Sequence, residues 1–343
     1  MRRSGNGSAR SNRYRHHFSH IYVERDALAY PDTERVFRKF PHARRIVIDH
    51  YKAVFNRSNQ HFQQQKASMK LILAVKRDHF LYAGSPAAPD FGHPNFFYNA
   101  LMLNCLYNCD YCYLQGMYPS GNTVMFVNSE DYLAATAQKL KNGEEMYLCI
   151  SYDTDLLAFE HIIPYAHRWI QFARQHPNLL IELRTKSANF NAIKTLKPVT
   201  NVILAWTLSP ASITKIYEKK TPSLKARLNA IKKAMTTGWT VRLCFDPLLH
   251  VPDWQEIYTE FVEQVFTALN PEKIQDVSIG VFRMNSGYLH RIRKMREDSP
   301  VLYHPVDVVE NVATYPQTVK AEMEDWVYRQ VRKYLPDDRV FAL

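Results

Sequence analysis

The run Asn104-Cys-Leu-Tyr-Asn-Cys-Asp-Tyr-Cys-Tyr113 puts Cys105, Cys109 and Cys112 within eight residues, and it makes the strictest demand on the fold. Three thiols this close have to be wrapped around a common centre. The spacing is C-x3-C-x2-C, with an aromatic residue just before the third cysteine. Three thiolates so spaced can each hold a different iron of a [4Fe–4S] cubane, whose usual protein ligands are cysteine thiolates. The fourth iron is then left open for chemistry. Zinc is the competing occupant, but zinc sites usually take cysteines as two separated pairs. The remaining cysteines, Cys149 and Cys244, do not form a pair in sequence. Five cysteines in 343 residues are too few, and odd in number, for a disulfide framework.

Downstream of the triplet, strand-like and helix-like stretches alternate. Apolar runs of strand length lie at 145–150, 179–184, 201–206, 240–245 and 276–281, and helical patterns at 129–140, 164–176, 223–236 and 254–269. Such alternation predicts a parallel sheet with crossover helices. A first strand near 98–103, leading into the cysteine loop, makes about six strands, a partial barrel. Its site is expected at the C-terminal ends of the strands. Upstream, strands are predicted at 20–25, 45–49 and 70–75 and a helix at 32–40, followed by a Pro- and Gly-marked loop at 84–94. A final amphipathic helix is expected over 319–334, with Met323, Trp326, Val327 and Val331 on one stripe. The expected organisation is a basic flexible tail (1–19), an N-terminal α/β extension (20–95), the α/β barrel (96–285) and a C-terminal helical region (286–343).

Lys and Arg total 44 against 33 acidic residues, a net charge of +11. Arg2, Arg3, Arg10, Arg13 and Arg15 lie in an opening segment with no acid and much Gly, Ser and Asn. Such a segment reads as disordered and can hold a phosphate backbone without reading sequence. An organellar transit peptide is the alternative. His16, His17 and His20 are placed with this solvated tail rather than with a metal. Further basic runs, such as Arg291-Ile-Arg-Lys-Met-Arg296, are more often solvated faces than binding sites. No apolar run reaches membrane-spanning length and no secretory pattern opens the chain. A thiol triplet that carries a cluster needs a reducing compartment, so a cytoplasmic location is expected.

The cysteine spacing and its aromatic residue resemble the radical S-adenosylmethionine (SAM) superfamily. Several further segments, in order, resemble the spore photoproduct lyase family within it. They are Ile21-Tyr-Val-Glu-Arg-Asp-Ala-Leu-Ala-Tyr-Pro31, Lys70-Leu-Ile-Leu-Ala-Val-Lys76, Cys109-Asp-Tyr-Cys-Tyr-Leu-Gln115 and Asp155-Leu-Leu-Ala-Phe-Glu-His161. Arg184-Thr-Lys-Ser187, Thr207-Leu-Ser-Pro210 and Glu218-Lys-Lys-Thr-Pro-Ser-Leu-Lys-Ala-Arg227 follow. The resemblance spans about residues 20–260. It implies a partial (β/α)6 barrel with a [4Fe–4S] cluster on Cys105, Cys109 and Cys112, and SAM on the open iron. One electron cleaves SAM, and the 5′-deoxyadenosyl radical removes a hydrogen from C6 of a thymine dimer in duplex DNA. The linking bond breaks by β-scission, and the thymine methyl radical left behind has to be quenched by a hydrogen atom. A lesion base has to leave the stack to be reached. The partners implied are damaged DNA and an electron donor such as flavodoxin or ferredoxin.

The resemblance also assigns residues. Tyr111 and Tyr113 flank the third cysteine and assist quenching, and Tyr111 lies along the SAM adenine. Lys186 corresponds to a SAM-contacting lysine, against the alternative of a surface lysine. Thr207 is placed to bond the ribose or methionine part. Asp155 either bonds SAM or caps the helix after it, and capping is the better expectation. The family's hydrogen donor is a fourth cysteine, and here this chain departs from the pattern. Counted back from Asp155, the donor position falls near Tyr152, while the nearest thiol is Cys149. Positions three apart on a strand face opposite sides. Parity therefore turns Tyr152 toward the site and Cys149 away, whereas thiol chemistry favours Cys149. A buried thiol in an apolar strand is otherwise core, as expected for Cys244. The changed quencher leaves room for another substrate, such as RNA, a peptide or a small molecule. A non-enzymatic iron–sulfur nucleic-acid-binding protein is the third alternative, disfavoured because a structural cluster generally has four protein ligands.

Overall fold

The computed structural model describes residues 18–85, 88–141 and 143–343. The basic segment from Arg2 to His17 therefore lies outside the described residues.

Six parallel strands form the central sheet in chain order: β1 (Phe96–Tyr98), β2 (Met146–Cys149), β3 (Leu179–Thr185), β4 (Val202–Thr207), β5 (Thr240–Leu248) and β6 (Ile274–Val281). Helices Tyr165–Arg174, Leu224–Thr236 and Trp254–Ala268 lie in the connections after β2, β4 and β5. Strand Val340–Ala342 adds itself in parallel beyond β6, and Tyr82–Ala83 runs antiparallel beside β1. Neither was expected from sequence, being three and two residues long.

The helices follow from their apolar spacing. In Leu224–Thr236, Leu224, Leu228, Ile231 and Met235 recur at helical intervals and are buried. Each such side chain contributes about 1.5–3 kcal/mol on burial. Ser223 caps the start, its hydroxyl accepting from the Ala226 N–H at 3.3 Å. Gly238, at φ +89°, turns the chain out of the helix. The apolar face of the sheet packs under these helices, with Phe245 of β5 edge-on to Phe261 at 4.8 Å.

The opposite face is polar. Tyr147, Glu182, Arg242 and Asp276 project from β2, β3, β5 and β6 and bond one another. The Tyr147 phenol donates to Glu182 at 2.6 Å, and Arg242 donates to Glu182 at 2.8 Å and to both oxygens of Asp276 at 2.5 and 2.8 Å. Phe91, from the loop predicted at 84–94, covers this layer, with the Arg242 guanidinium 3.2 Å from its ring centre. A buried ion network of this kind is costly to leave half-made, so it fixes the register of four strands.

A second sheet joins Arg44–Ile48, His20–Glu24, Leu71–Ala74, Thr123–Phe126 and Met102–Leu103 in that order. The expected first barrel strand at 98–103 is thus divided. Its barrel part is Phe96–Tyr98, while Met102–Leu103 leaves the barrel to pair antiparallel with Thr123–Phe126. The cysteine loop follows, in the connection between the paired strands Met102–Leu103 and Thr123–Phe126. The last helix is Gln317–Val331; Met323, Val327 and Val331 are buried and Trp326 is half-buried.

Candidate active site

The cysteine loop starts at Asn104, which is fully buried and takes a positive φ of 69°. Asparagine tolerates that conformation, and its amide donates to the carbonyls of Ser120 (2.5 Å) and Asn122 (2.7 Å). The loop closes over Gln115, whose amide nitrogen donates to the carbonyls of Cys109 (2.8 Å), Asp110 (3.1 Å) and Cys112 (3.2 Å). Asn108–Cys109 pairs antiparallel with Glu218–Lys219.

The C-terminal region fastens the loop from outside. Arg296 is buried and donates to Asp110 (2.6 Å), Gln115 (2.5 Å) and the side-chain oxygen of Asn108 (2.6 Å). Ser299 completes Asp110 at 2.9 Å. Arg291 donates to the Gly116 carbonyl at 2.6 Å. A Cβ on Gly116 would meet the Tyr288 backbone at 2.6 Å, so only glycine lets helix Ser286–Arg293 approach this closely. The basic run 291–296, a candidate solvated face, is in large part a clamp.

Cys105, Cys109 and Cys112 line one narrow crevice, together with Phe62, Lys66 and Leu114. Among the described residues no three thiol, imidazole or carboxylate groups converge on a single metal ion. A cubane makes a different demand, because each thiolate takes a different iron, and thiols spread around one crevice meet it. Burial pushes the Cys105 thiol up to about 12 and raises that of Cys109 as well. Such thiols ionise when a metal binds them. The donor set and the crevice fit the cluster.

Beside the crevice lies a charge cluster that the sequence reading missed. Glu218 is fully buried and accepts hydrogen bonds from the Tyr111 phenol and from Arg227, and from Ser209 at 3.1 Å. The Lys186 ammonium stands 3.7 Å away. Burial alone would raise the Glu218 carboxyl, but Lys186 and Arg227 outweigh it and hold it down to about 2. Lys186 is therefore not a free surface lysine. It belongs to a site with both signs of charge, as a zwitterionic amino-acid ligand requires. The only signal in the sequence was the position of Glu218 at the head of a family-like segment.

Asp155 is the helix cap. Its carboxylate accepts from Ala158 N–H (3.1 Å), the Thr185 hydroxyl (2.7 Å) and Lys186 N–H (2.7 Å), which ties the end of β2 to the end of β3. Thr207 ends β4, is buried, and accepts Arg227 at its backbone carbonyl (3.1 Å).

Strand parity does not extend to Tyr152, because β2 stops at Cys149 and the chain bends after it. Cys149 lies opposite Glu182 in register and so faces the polar interior, not away from it. Tyr152 neighbours it, stacked on Tyr98 at 4.3 Å and 6.2 Å from the Tyr113 ring. The Tyr113 phenol donates to the Tyr152 carbonyl at 2.7 Å. Tyr113 also reaches Asp153 at 3.5 Å, and burial raises the Asp153 carboxyl to about 6 against the bonds from Tyr118 and Tyr113. Cys244, fully buried on β5 opposite Ser278 in register, is part of the interior packing.

A family model described as spore photoproduct lyase matches residues 16–296. The spore photoproduct lyase of Geobacillus sp. (strain Y412MC61) is 21% identical over 266 residues, which cover 75% of this chain and 76% of that protein. The one from Bacillus subtilis (strain 168) is 22% identical over 267 residues, 75% of each chain. A solved spore photoproduct lyase double mutant, with bound AdoMet and dinucleoside spore photoproduct, superposes with a TM-score of 0.80 at 17% identity. That likeness covers 94% of this chain and 97% of the other. The match runs from the first strand of the N-terminal sheet through the barrel to the arginine that clamps the cysteine loop: this chain belongs to the spore photoproduct lyase family.

Proposed function

We propose that this protein is a radical SAM lyase that reverses the spore photoproduct, a thymine dimer joined through a methyl carbon, in DNA. The observation that carries this is the single crevice lined by all three cysteines, in the loop that leaves β1 beside the C-terminal ends of β2, β3 and β4. Cys105, Cys109 and Cys112 would hold the [4Fe–4S] cluster. When bound, cluster and SAM together supply the 5′-deoxyadenosyl radical that removes hydrogen from the lesion.

The remaining work falls to the chain. Lys186 and Glu218 offer the cation and the anion for the carboxylate and ammonium of SAM, and Tyr111 sits against both. Asp155 positions the Lys186 backbone rather than touching ligand. Thr207 stands at the end of the next strand, in reach of the same pocket. Tyr152 holds the hydrogen atom that quenches the thymine methyl radical, and Cys149 is the alternative donor. Abstraction from Tyr152 leaves a phenoxyl against which Tyr98 stacks. Tyr113 fixes the Tyr152 backbone. The lesion reaches the site flipped out of the duplex. A small redox protein such as flavodoxin or ferredoxin delivers the electron, in the reducing cytoplasm. No described helix is long and apolar enough to cross a membrane.

Anaerobic reconstitution tests the chemistry. Reduced wild-type protein is expected to carry about four irons, as one cubane requires, and to release 5′-deoxyadenosine from SAM. Cys109→Ala should lose the cluster absorbance and the deoxyadenosine together. A variant that keeps both would sink the assignment.

A further inference from the structure

Helix Phe62–Ala67 delivers a cation into the wall of the cysteine crevice. Lys66 is 4% exposed, lines the crevice with the three cysteines, and donates its ammonium to the Cys105 carbonyl. A buried ammonium is strongly disfavoured unless an anion meets it. Four other cations around this loop have one: Arg296 and Lys219 face Asp110, and Lys186 and Arg227 face Glu218. Among the described residues no carboxylate makes an ion pair with Lys66. A second cation, Lys220, comes close instead, its ammonium donating to the Lys66 carbonyl at 2.6 Å. The groups placed to answer this positive charge are the three thiols that line the same crevice; burial works against the Lys66 charge, and the neighbouring thiols oppose that effect.

We propose that Lys66 is the counter-charge of the iron–sulfur cluster and holds its reduction potential up. A cluster with three thiolate ligands is anionic, and reduction adds one further negative charge. A fixed cation in a buried, low-dielectric wall favours the more negative state, and nearby charge is one of the levers that set cluster potentials. Lys66 acts through the cluster and touches no substrate, so it is a positioning and tuning residue. Its effect is to let a weaker reductant load the electron that SAM cleavage needs.

The inference rests on the cluster assignment. Wild-type protein that takes up no iron would defeat that assignment and the tuning role with it. Given a loaded wild type, the test is a redox titration of the cluster, read by its electron paramagnetic resonance signal, in wild type, Lys66→Gln and Lys66→Arg. Glutamine keeps a donor for the Cys105 carbonyl and removes the charge; arginine keeps the charge. Lys66→Gln is expected to load iron and shift its midpoint downward. At the wild-type midpoint its ratio of reduced to oxidised cluster should fall about tenfold, which is about 59 mV for a one-electron couple. Lys66→Arg should stay close to wild type. If glutamine abolishes iron loading while arginine preserves it, the charge requirement stands. An unchanged midpoint in Lys66→Gln, or loss of iron in both variants alike, would make Lys66 a mere strut and overturn the proposal.

Discussion

Replacing Arg296 by alanine should unfasten the cysteine loop, and the size of the effect follows from its surroundings. The guanidinium is 4% exposed and makes three bonds of 2.5–2.6 Å to Asp110, Gln115 and Asn108. Its removal leaves the Asp110 carboxylate, 3% exposed, with only Ser299 at 2.9 Å and Lys219 at 3.4 Å among these partners. Truncating one member of a buried ion pair costs about 3–5 kcal/mol. The residual lysine puts this case near the low end, about 3 kcal/mol, which is still a large part of the 5–15 kcal/mol that typically holds a domain together. Arg291 is the internal control. It is exposed and makes one bond to a carbonyl, so Arg291→Ala should cost about 0.5–1.5 kcal/mol. Urea unfolding of the metal-free protein, followed by tryptophan fluorescence, measures both from their midpoints at a common slope. Equal losses below about 1 kcal/mol in the two variants would refute the clamp, since a solvated basic face predicts that result.

Three further outcomes are expected. Tyr152→Phe should still cleave SAM but divert the product radical into adducts, seen by mass spectrometry of the digested DNA; the same outcome for Cys149→Ala instead would give the thiol the role, and clean repair by both would reject both. Asp153, raised to about 6, stabilises the fold fully below its unfolded pKa, about 3.9, and loses that contribution as pH rises through 6; Asp153→Asn should therefore remove up to about 3 kcal/mol of the decline between pH 4 and pH 6, and an unchanged pH slope in chemical denaturation would contradict it. Deleting residues 1–17 removes five arginines, so the slope of log binding constant against log salt should fall by up to about 4–5 on duplex DNA; an equal slope would show that these residues do not contact phosphate.

The cysteine loop and the alternation of strands and helices were legible because both are carried by short, dense local signals. Helix Ser129–Leu140 begins and ends where its pattern does, and the other long helices lie within a few residues of theirs. The 98–103 stretch was not legible as two strands, because what divides it is a partner, Thr123–Phe126, twenty residues on. Strand parity misled at Cys149 and Tyr152 because a period of two holds only while the strand lasts, and β2 ends at the cysteine. Lys66 and Glu218 were invisible as site residues for a different reason. Each lies in a short polar stretch, and only the pairing of Asn108–Cys109 with Glu218–Lys219, and the packing of helix Phe62–Ala67, brings it to the thiols. Arg296 looked like part of a solvated run because burial is not written in charge spacing.

The most direct test of the central claim is loss of the lesion itself. Duplex DNA irradiated as a dry film, which carries the spore photoproduct, is incubated anaerobically with the reconstituted protein, SAM and a reductant, and digested for mass spectrometry. The expected result is loss of the spore photoproduct with matching recovery of thymidine, dependent on SAM and absent in Cys109→Ala. Release of 5′-deoxyadenosine with the spore photoproduct left intact would contradict it and would mean that the same radical chemistry serves another substrate.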